Sequence, residues 1–512
     1  MHHACKALAV GLTAMFTAVG CGPGDDLAEA PEPPTETTMT PDVSILLGRT
    51  AEPDGSSRVI ADALARIEAA DQVYRAVLHV NPTAERLASE RDRLEPAQRG
   101  PLHGIPVLIK DNIETRDMPT TAGAHALADL RTARDATVVA RLRDAGAVML
   151  GKANLSEWAN FRSERSSSGW SGLGGQTRNA VDHSRNPCGS SSGSAVAVAL
   201  GYVPLAIGTE TNGSIICPAA INGIVGFKPS VGALPGDGII PIAHTQDTAG
   251  PMAGTVADAA LGFAVMAGLD PEALLEAVRD GELRGRRIGI LRGASGYHEG
   301  VDALFDAAIA ALGRAGAELV DDLAFERYEG FSNDTFKVLL HEFRHDLNAW
   351  LAGLPEPAAV ADLDELIAFN EARVEETMPY FRQEIFLKAA ATSGLDAPEY
   401  REALARIRTA TRSNGIDRLL GEYGLDAIIA PSVGPAWPID LVNGDHYLGG
   451  FGTFPAVAGY PHLTVPMGTL HGLPVGLSFA AGSDSDIEVL ALGHAFERLA
   501  TRPAIGVPLP SD

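Results

Sequence analysis

The chain has 512 residues, of which 46% are hydrophobic and 21% charged, the composition of a folded globular protein rather than a disordered one. Lysine and arginine number 40 against 65 acidic residues, a formal charge of −25, which argues against a nucleic-acid-binding face and against electrostatic docking on anionic lipid. Aromatic residues, at 6%, are too sparse to build a stacking platform along a nucleic acid.

In chain order, Met1–Lys6 forms a weakly positive start and Ala7–Val19 an apolar run of 13 residues. That run is too short to span ~30 Å of hydrocarbon, which takes about 20 residues, but it fits a signal-peptide core. It ends in Ala18-Val19-Gly20-Cys21, which resembles a lipobox with Ala18 where Leu is usual. Residues 1–20 are thus expected to be a lipoprotein-type signal peptide and Cys21 a lipidated N-terminus at the cell envelope, a plain secreted or periplasmic protein being the alternative. Residues 21–43 hold five prolines and few large apolar side chains, which reads as a flexible tether. Removal of the signal leaves Cys21, Cys188 and Cys217, too few for a disulfide framework, and no Cys/His cluster has zinc spacing, so no metal is implied.

From Ser44 onward, helical periodicity alternates with short apolar runs. Arg58–Val80 reads as an amphipathic helix, Ile105–Ile109 as a buried strand, Asp135–Ala145 as a helix and Ala147–Leu150 as a strand. Helices follow at Ser192–Leu200, Thr255–Ala267 and Val301–Ala315. Further strands are predicted at Val203–Ile207, Arg287–Leu291, Leu425–Ala430, His462–Val465 and Val475–Phe479. This interleaving predicts an α/β fold, a large sheet covered by helices on both faces. Residues 332–422, including Asp362–Thr377, read as a mostly helical insertion that shapes the pocket.

The most unusual stretch is Asn186-Pro-Cys-Gly-Ser-Ser-Ser-Gly-Ser194, which opens directly into an apolar helix, as a linker would not. Gly208-Thr-Glu-Thr-Asn-Gly-Ser214 follows the strand at Val203–Ile207. Small residues let backbone approach a ligand, and successive N–H groups in such a turn can stabilise an oxyanion. A serine nucleophile needs a base, commonly His. His183 and His244 lie near these turns in no triad setting, His103 reads as a hydrogen-bonded structural residue, and Cys188 and Cys217 read as small buried packing residues. Lys110, at the end of the apolar strand, is the better candidate, because a desolvated lysine loses proton affinity.

Gly189-Ser-Ser-Ser-Gly-Ser194, Gly208-Thr-Glu-Thr-Asn-Gly-Ser-Ile215 and Gly100-Pro-Leu-His-Gly-Ile-Pro-Val-Leu-Ile-Lys-Asp-Asn112 together resemble the amidase signature family. So do Asp135–Gly151, Gly223–Pro229 and Pro461–Leu477, and the resemblance runs from about Ser44 to Pro510. It implies a single amidase signature domain over 44–510 built on a central mixed sheet. It also implies a Ser–cis-Ser–Lys triad with Ser214 as nucleophile, Ser190 as proton relay after a cis peptide bond, and Lys110 as base. Backbone N–H groups of Thr211, Asn212, Gly213 and Ser214 would form the oxyanion hole, an acyl-enzyme would form on Ser214, and no cofactor would be needed. Asn212 stands where Gly is common, Ile216 where Arg is common, Ser192 for Gly and Glu210 for Asp. Trp170–Asn179, Cys188, Glu210 and Ile215–Asn222 resemble the peptide amidase branch, whose members release ammonia from C-terminally amidated peptides. A broad aliphatic or aryl acylamide amidase and a catalytically inactive binding lipoprotein are the alternatives. A tRNA-linked amidotransferase subunit of the same family works in the cytoplasm, against which the export signal speaks. The expected partners are a small-molecule or peptide amide substrate, no nucleic acid, and membrane only through the anchor, with a monomer as the default.

Overall fold

The structure is a computed structural model that describes residues 42–500. The readings on residues 1–41, signal peptide, Cys21 and nearly all of the tether, lie outside the described residues. The first described helix already starts at Val43, which is buried.

Among the described residues thirteen strands follow in chain order: β1 (Val77–Val80), β2 (Pro106–Lys110), β3 (Val148–Ala153), β4 (Trp170–Ser171), β5 (Gly175–Gln176), β6 (Leu205–Glu210), β7 (Val225–Lys228), β8 (Thr248–Ala253), β9 (Arg287–Ile290), β10 (Glu318–Val320), β11 (Ala427–Pro431), β12 (His462–Leu470) and β13 (Leu473–Ala480). β4 and β5 make a small ribbon, and the other eleven form one sheet in the order β1-β3-β2-β6-β8-β7-β12-β13-β11-β9-β10. The β3-β2-β6 and β11-β9-β10 flanks are parallel. The centre from β6 to β11 and the β1 edge are antiparallel. Parallel neighbours need crossover connections, supplied for example by the Thr137–Asp144 helix between β2 and β3.

Side chains alternate between the two faces of a strand, and the core divides accordingly. Val107 and Ile109 pack with Val138, Leu142 and Phe263, whereas Leu108 packs with Ile60, Ala63 and Val196. Helices thus cover both faces of a mixed sheet, the architecture expected. Between β10 and β11 the chain is helical, with Phe331–Ala352, Leu363–Glu371, Val374–Thr377, Glu384–Ala390, Pro398–Thr411 and Asp417–Tyr423. Leu339, Phe343 and Leu347 of the first of these pack on Trp158, Phe161 and Ile242. No helix among the described residues is long and apolar enough to cross a membrane.

One predicted helix is corrected: that over Arg58–Val80 ends at Tyr74. Arg75 adopts a left-handed conformation (φ 51°), and the buried Asp71 carboxylate accepts the N–H groups of Ala76 and Val77 at 2.8 and 3.0 Å. The chain is thereby turned out of the helix, and Val77–Val80 becomes β1, antiparallel to β3. Asp362–Thr377, read as mostly helical, holds two helices that meet at Ala372–Arg373.

Candidate active site

Three loop ends meet beside the parallel flank of the sheet. β2 delivers Lys110 at its C-terminal end, the Ser192–Ala199 helix is preceded by Ser190, and β6 runs into the turn that carries Ser214. The Gly189–Ser190 peptide bond is cis, as the resemblance implies. Lys110 has no solvent exposure, and its Nζ lies 2.7 Å from Ser190 Oγ, 2.8 Å from Thr209 Oγ1 and 3.2 Å from the Thr209 carbonyl. Burial pushes the amine down to about 7, more than Asp247 and Glu210 raise it. Asn112 donates from Nδ2 to the same Thr209 Oγ1 at 3.0 Å.

The Ser191 N–H donates to the Ser214 carbonyl at 3.1 Å and so ties the two serine turns together. Glu210 Oε2 accepts the N–H groups of Ile215 and Ile216 at 2.7 and 3.0 Å, and Asp247 Oδ1 accepts from Thr211 Oγ1 at 2.5 Å. These bonds fix both ends of the turn. Among the described residues, the N–H groups of Asn212, Gly213 and Ser214 donate to no protein acceptor, nor does the Ser214 hydroxyl take a partner. Asn212 and Gly213 line a cavity of about 350 Å³ together with Gly189, Asn160, Trp437 and Tyr447. A second cavity of about 370 Å³ opens on the Thr209 and Thr211 side, walled by Leu234, Ile239, Ile240 and Ile242.

The expectation that Cys188 and Cys217 are unbridged is corrected: they are buried, but joined in a disulfide 29 residues apart in sequence. A count of cysteines does not show that two turns return to within bridging distance. His103 is also corrected, since it is buried but neither ring nitrogen has a partner; only its backbone is bonded, the carbonyl accepting from Thr50 Oγ1 at 2.9 Å. His183 is exposed, and His244 pairs with Asp346 at 2.8 Å on the helical insertion. No hydrogen bond joins either to the serines. His244, Glu342 and Asp346 are the one group among the described residues with metal-ligand spacing, and their atoms already bond one another, Thr245 and Tyr400.

Residues that the sequence reading passed over complete the site. Thr209 accepts from Lys110, and Asn112 in turn donates to Thr209 Oγ1; their places in the same two motifs as Lys110 and Ser214 were the available signal. Asn160 lies in a run of three left-handed residues, Trp158, Ala159 and Asn160 (φ 52°, 52° and 70°), and its buried Oδ1 has no protein partner.

The amidase family model matches residues 58–490. The chain belongs to the amidase family. A probable amidase of Arabidopsis thaliana is 38% identical over 468 residues, covering 86% of each chain. A glutamyl-tRNA(Gln) amidotransferase subunit of Chloroflexus aurantiacus is 37% identical over 456 residues, covering 85% of this chain and 91% of that one. The native peptide amidase structure from Stenotrophomonas maltophilia is 45% identical with a TM-score of 0.85, covering 90% of this chain and 98% of that one. This amidase is therefore a hydrolase acting on amides, with the resemblance read from its motifs carried along most of its length.

Proposed function

We propose that this amidase removes the C-terminal amide of peptides as ammonia, through an acyl-enzyme on Ser214. The observation that carries the reading is the Lys110 amine, fully buried, lowered to about 7 and 2.7 Å from Ser190 Oγ. A neutral lysine accepts the proton that Ser190 relays from Ser214 as Ser214 Oγ attacks the amide carbon. The free N–H groups of Asn212, Gly213 and Ser214 then receive the developing oxyanion, with the N–H of Thr211 as the fourth donor in the family pattern. Lys110 returns the proton through Ser190 to the leaving nitrogen, ammonia departs, and water hydrolyses the ester. The cavity beside Gly213 holds the reacting amide, where Asn160 Oδ1 can accept an N–H of the substrate. The 45% identity to a peptide amidase supports this substrate class.

A second reading, a broad acylamide amidase, draws on the apolar walls of the other cavity, Leu234, Ile239 and Ile240, which suit an aliphatic or aryl group. We also propose export as a lipoprotein acylated at Cys21, on the strength of the Ala7–Cys21 sequence. Acyl-chain labelling that Cys21→Ser leaves unchanged would remove that part.

The deciding experiment compares turnover of a C-terminally amidated dipeptide, an aryl acylamide and a small aliphatic amide by the purified protein, with Ser214→Ala as control. Ser214-dependent ammonia release fastest on the dipeptide amide supports the peptide reading. Faster turnover of either small amide moves the substrate to the second reading. Equal hydrolysis by Ser214→Ala overturns the assigned nucleophile.

A further inference from the structure

The two serine turns are joined by more than the Ser191–Ser214 backbone bond. Cys188 stands two positions before Ser190, and Cys217 three positions after Ser214 in the first turn of the Ile216–Ile221 helix. Their Cα atoms are 6.0 Å apart across the disulfide. Each end is anchored locally. The Cys188 N–H donates to Asn186 Oδ1 at 2.8 Å and its carbonyl accepts from Ser192 Oγ at 2.6 Å, while the Cys217 N–H donates to the Gly213 carbonyl at 2.9 Å. The bridge packs on Ala220, Ile221, Val433 and Trp437, and both cysteines line the cavity that Asn212 and Gly213 face.

We propose that the Cys188–Cys217 disulfide is a positioning element of the catalytic centre. It fixes the separation of the Ser190 and Ser214 turns, so turnover requires the oxidised bridge. The proposal rests on the Ser–Ser–Lys reading above. The other direct ties are hydrogen bonds, from the Ser191 N–H to the Ser214 carbonyl and between Ser191 Oγ and the Thr209 carbonyl and N–H at 3.0 and 3.1 Å. They hold the start of the second turn at Thr209, but only one reaches Ser214. Each is weak next to a covalent link, and misplacing reacting groups by about 1 Å costs on the order of 100-fold in rate. Because the bridge forms part of the cavity wall, a small thiol reaches it from the substrate side. A dithiol supplies the two electrons and two protons that convert the Sγ–Sγ bond into two thiols, and itself closes to a cyclic disulfide. Such bridges persist in oxidising compartments, so the activity would belong outside the cytoplasm.

The test uses the full-length protein, first confirming in the oxidised form Ser214-dependent turnover of whichever of the amidated dipeptide, aryl acylamide and aliphatic amide is hydrolysed fastest; its absence on all three would sink the triad reading and is distinguishable from any effect of reduction. The protein is then reduced with dithiothreitol under anaerobic conditions, with alkylation mapping at Cys188 and Cys217 and far-ultraviolet circular dichroism in parallel. The expected result is a folded, reduced enzyme whose kcat is down by about 10- to 100-fold with KM changed far less. Turnover should return on reoxidation in proportion to the bridges re-formed. The Cys188→Ala/Cys217→Ala double variant should show the same loss and no response to dithiothreitol. Full kcat in the reduced enzyme or the double variant overturns the proposal. So does a loss that tracks loss of the dichroism signal, which would make the bridge a staple of the fold rather than of the site.

Discussion

A neutral lysine amine has two N–H donors and one lone pair. For the lone pair of Lys110 to face the Ser190 hydroxyl, both N–H groups must donate elsewhere, and the structure offers the Thr209 carbonyl at 3.2 Å and Thr209 Oγ1 at 2.8 Å. Asn112 donates to that same Oγ1 at 3.0 Å, which holds it as an acceptor. Thr209→Val keeps the side-chain shape and deletes this acceptor. In the transition state Lys110 is gaining a proton, and a hydrogen bond from a charged donor is worth ~1.5–3 kcal/mol against ~0.5–1.5 for a neutral one. The differential loss of about 1–1.5 kcal/mol is roughly a ten-fold fall in kcat/KM, and a lone pair turned away from Ser190 takes the fall toward about 100-fold. The pH dependence gives an independent sign. On the proposed mechanism activity requires the neutral amine, so kcat/KM of the native enzyme should rise with pH through about 7. Deleting an acceptor disfavours the ammonium, so in Thr209→Val the rising limb moves to lower pH, by about one unit, while the plateau drops. Thr209→Ser should restore both. Ammonia release measured as a kcat/KM profile from about pH 5 to 9 decides it: an unchanged plateau with an unchanged limb would refute the geometry argued for Lys110.

Glu210→Ala removes the acceptor of the Ile215 and Ile216 N–H groups and should lower kcat at least about ten-fold, whereas Glu210→Gln, which keeps an amide oxygen there, should recover much of it in the same assay. Arg162 is fully buried, with Nε 3.2 Å from Glu157 and its guanidinium 4.4 Å from the Phe381 ring centroid. Arg162→Met leaves the Glu157 carboxylate buried and unpaired and should cost about 3–5 kcal/mol in urea unfolding, with Glu157→Gln/Arg162→Met costing less than the sum of the single changes. Phe386 is fully buried, edge-on to Trp158 at 5.7 Å and stacked on Phe343 at 5.4 Å. Phe386→Ala should destabilise by about 3–5 kcal/mol, and a loss under about 1 kcal/mol would mean that this packing against the site is not needed.

The site motifs were legible because their chemistry is carried by residue type. Runs of small hydroxyl-bearing residues set between an apolar strand and an apolar helix have few other uses, and a lysine ending a fully apolar strand has to lose its solvent. Less was readable where tertiary contacts override local preference. β8 contains Gly250 and Pro251 in mid-strand, a pattern that argues against a central strand. Yet it lies between β6 and β7, where a Cβ at Gly250 would meet the Phe227 carbonyl at 2.2 Å, so the close approach of strands requires that glycine. β1 was masked by continuous helical periodicity until the Asp71 carboxylate turned the chain away. The left-handed run at Trp158–Asn160 uses residue types that rarely adopt positive φ, and the disulfide depends on two turns meeting in space. None of these leaves a local signal.

Strand geometry favours Lys110, among the three fully buried lysines of the described residues, as the base proposed above. Lys152 sits on the neighbouring strand in register with Ile109, and so projects to the face opposite Lys110. It has the Asp111 carboxylate at 3.2 Å, the Ile113 and Pro119 carbonyls and Thr120 Oγ1; burial lowers its amine too, but here a contacting carboxylate opposes that lowering. Lys228, lowered to about 8, donates to the Pro229 carbonyl and lies within the field of Glu210 and Asp486. Lys110 has only hydroxyl and carbonyl oxygens in contact. Its chain neighbour Asp111 bonds instead to Thr121 and Lys152. The Lys-Asp pair, adjacent in sequence, is thus separated by the alternation of the strand, and the carboxylate that would keep the amine charged is directed to the other lysine. A carboxylate about 3 Å from Lys110 would favour its ammonium and so remove the lone pair from the range of pH in which it is needed. The basic role proposed for Lys110 therefore rests on strand register as much as on burial.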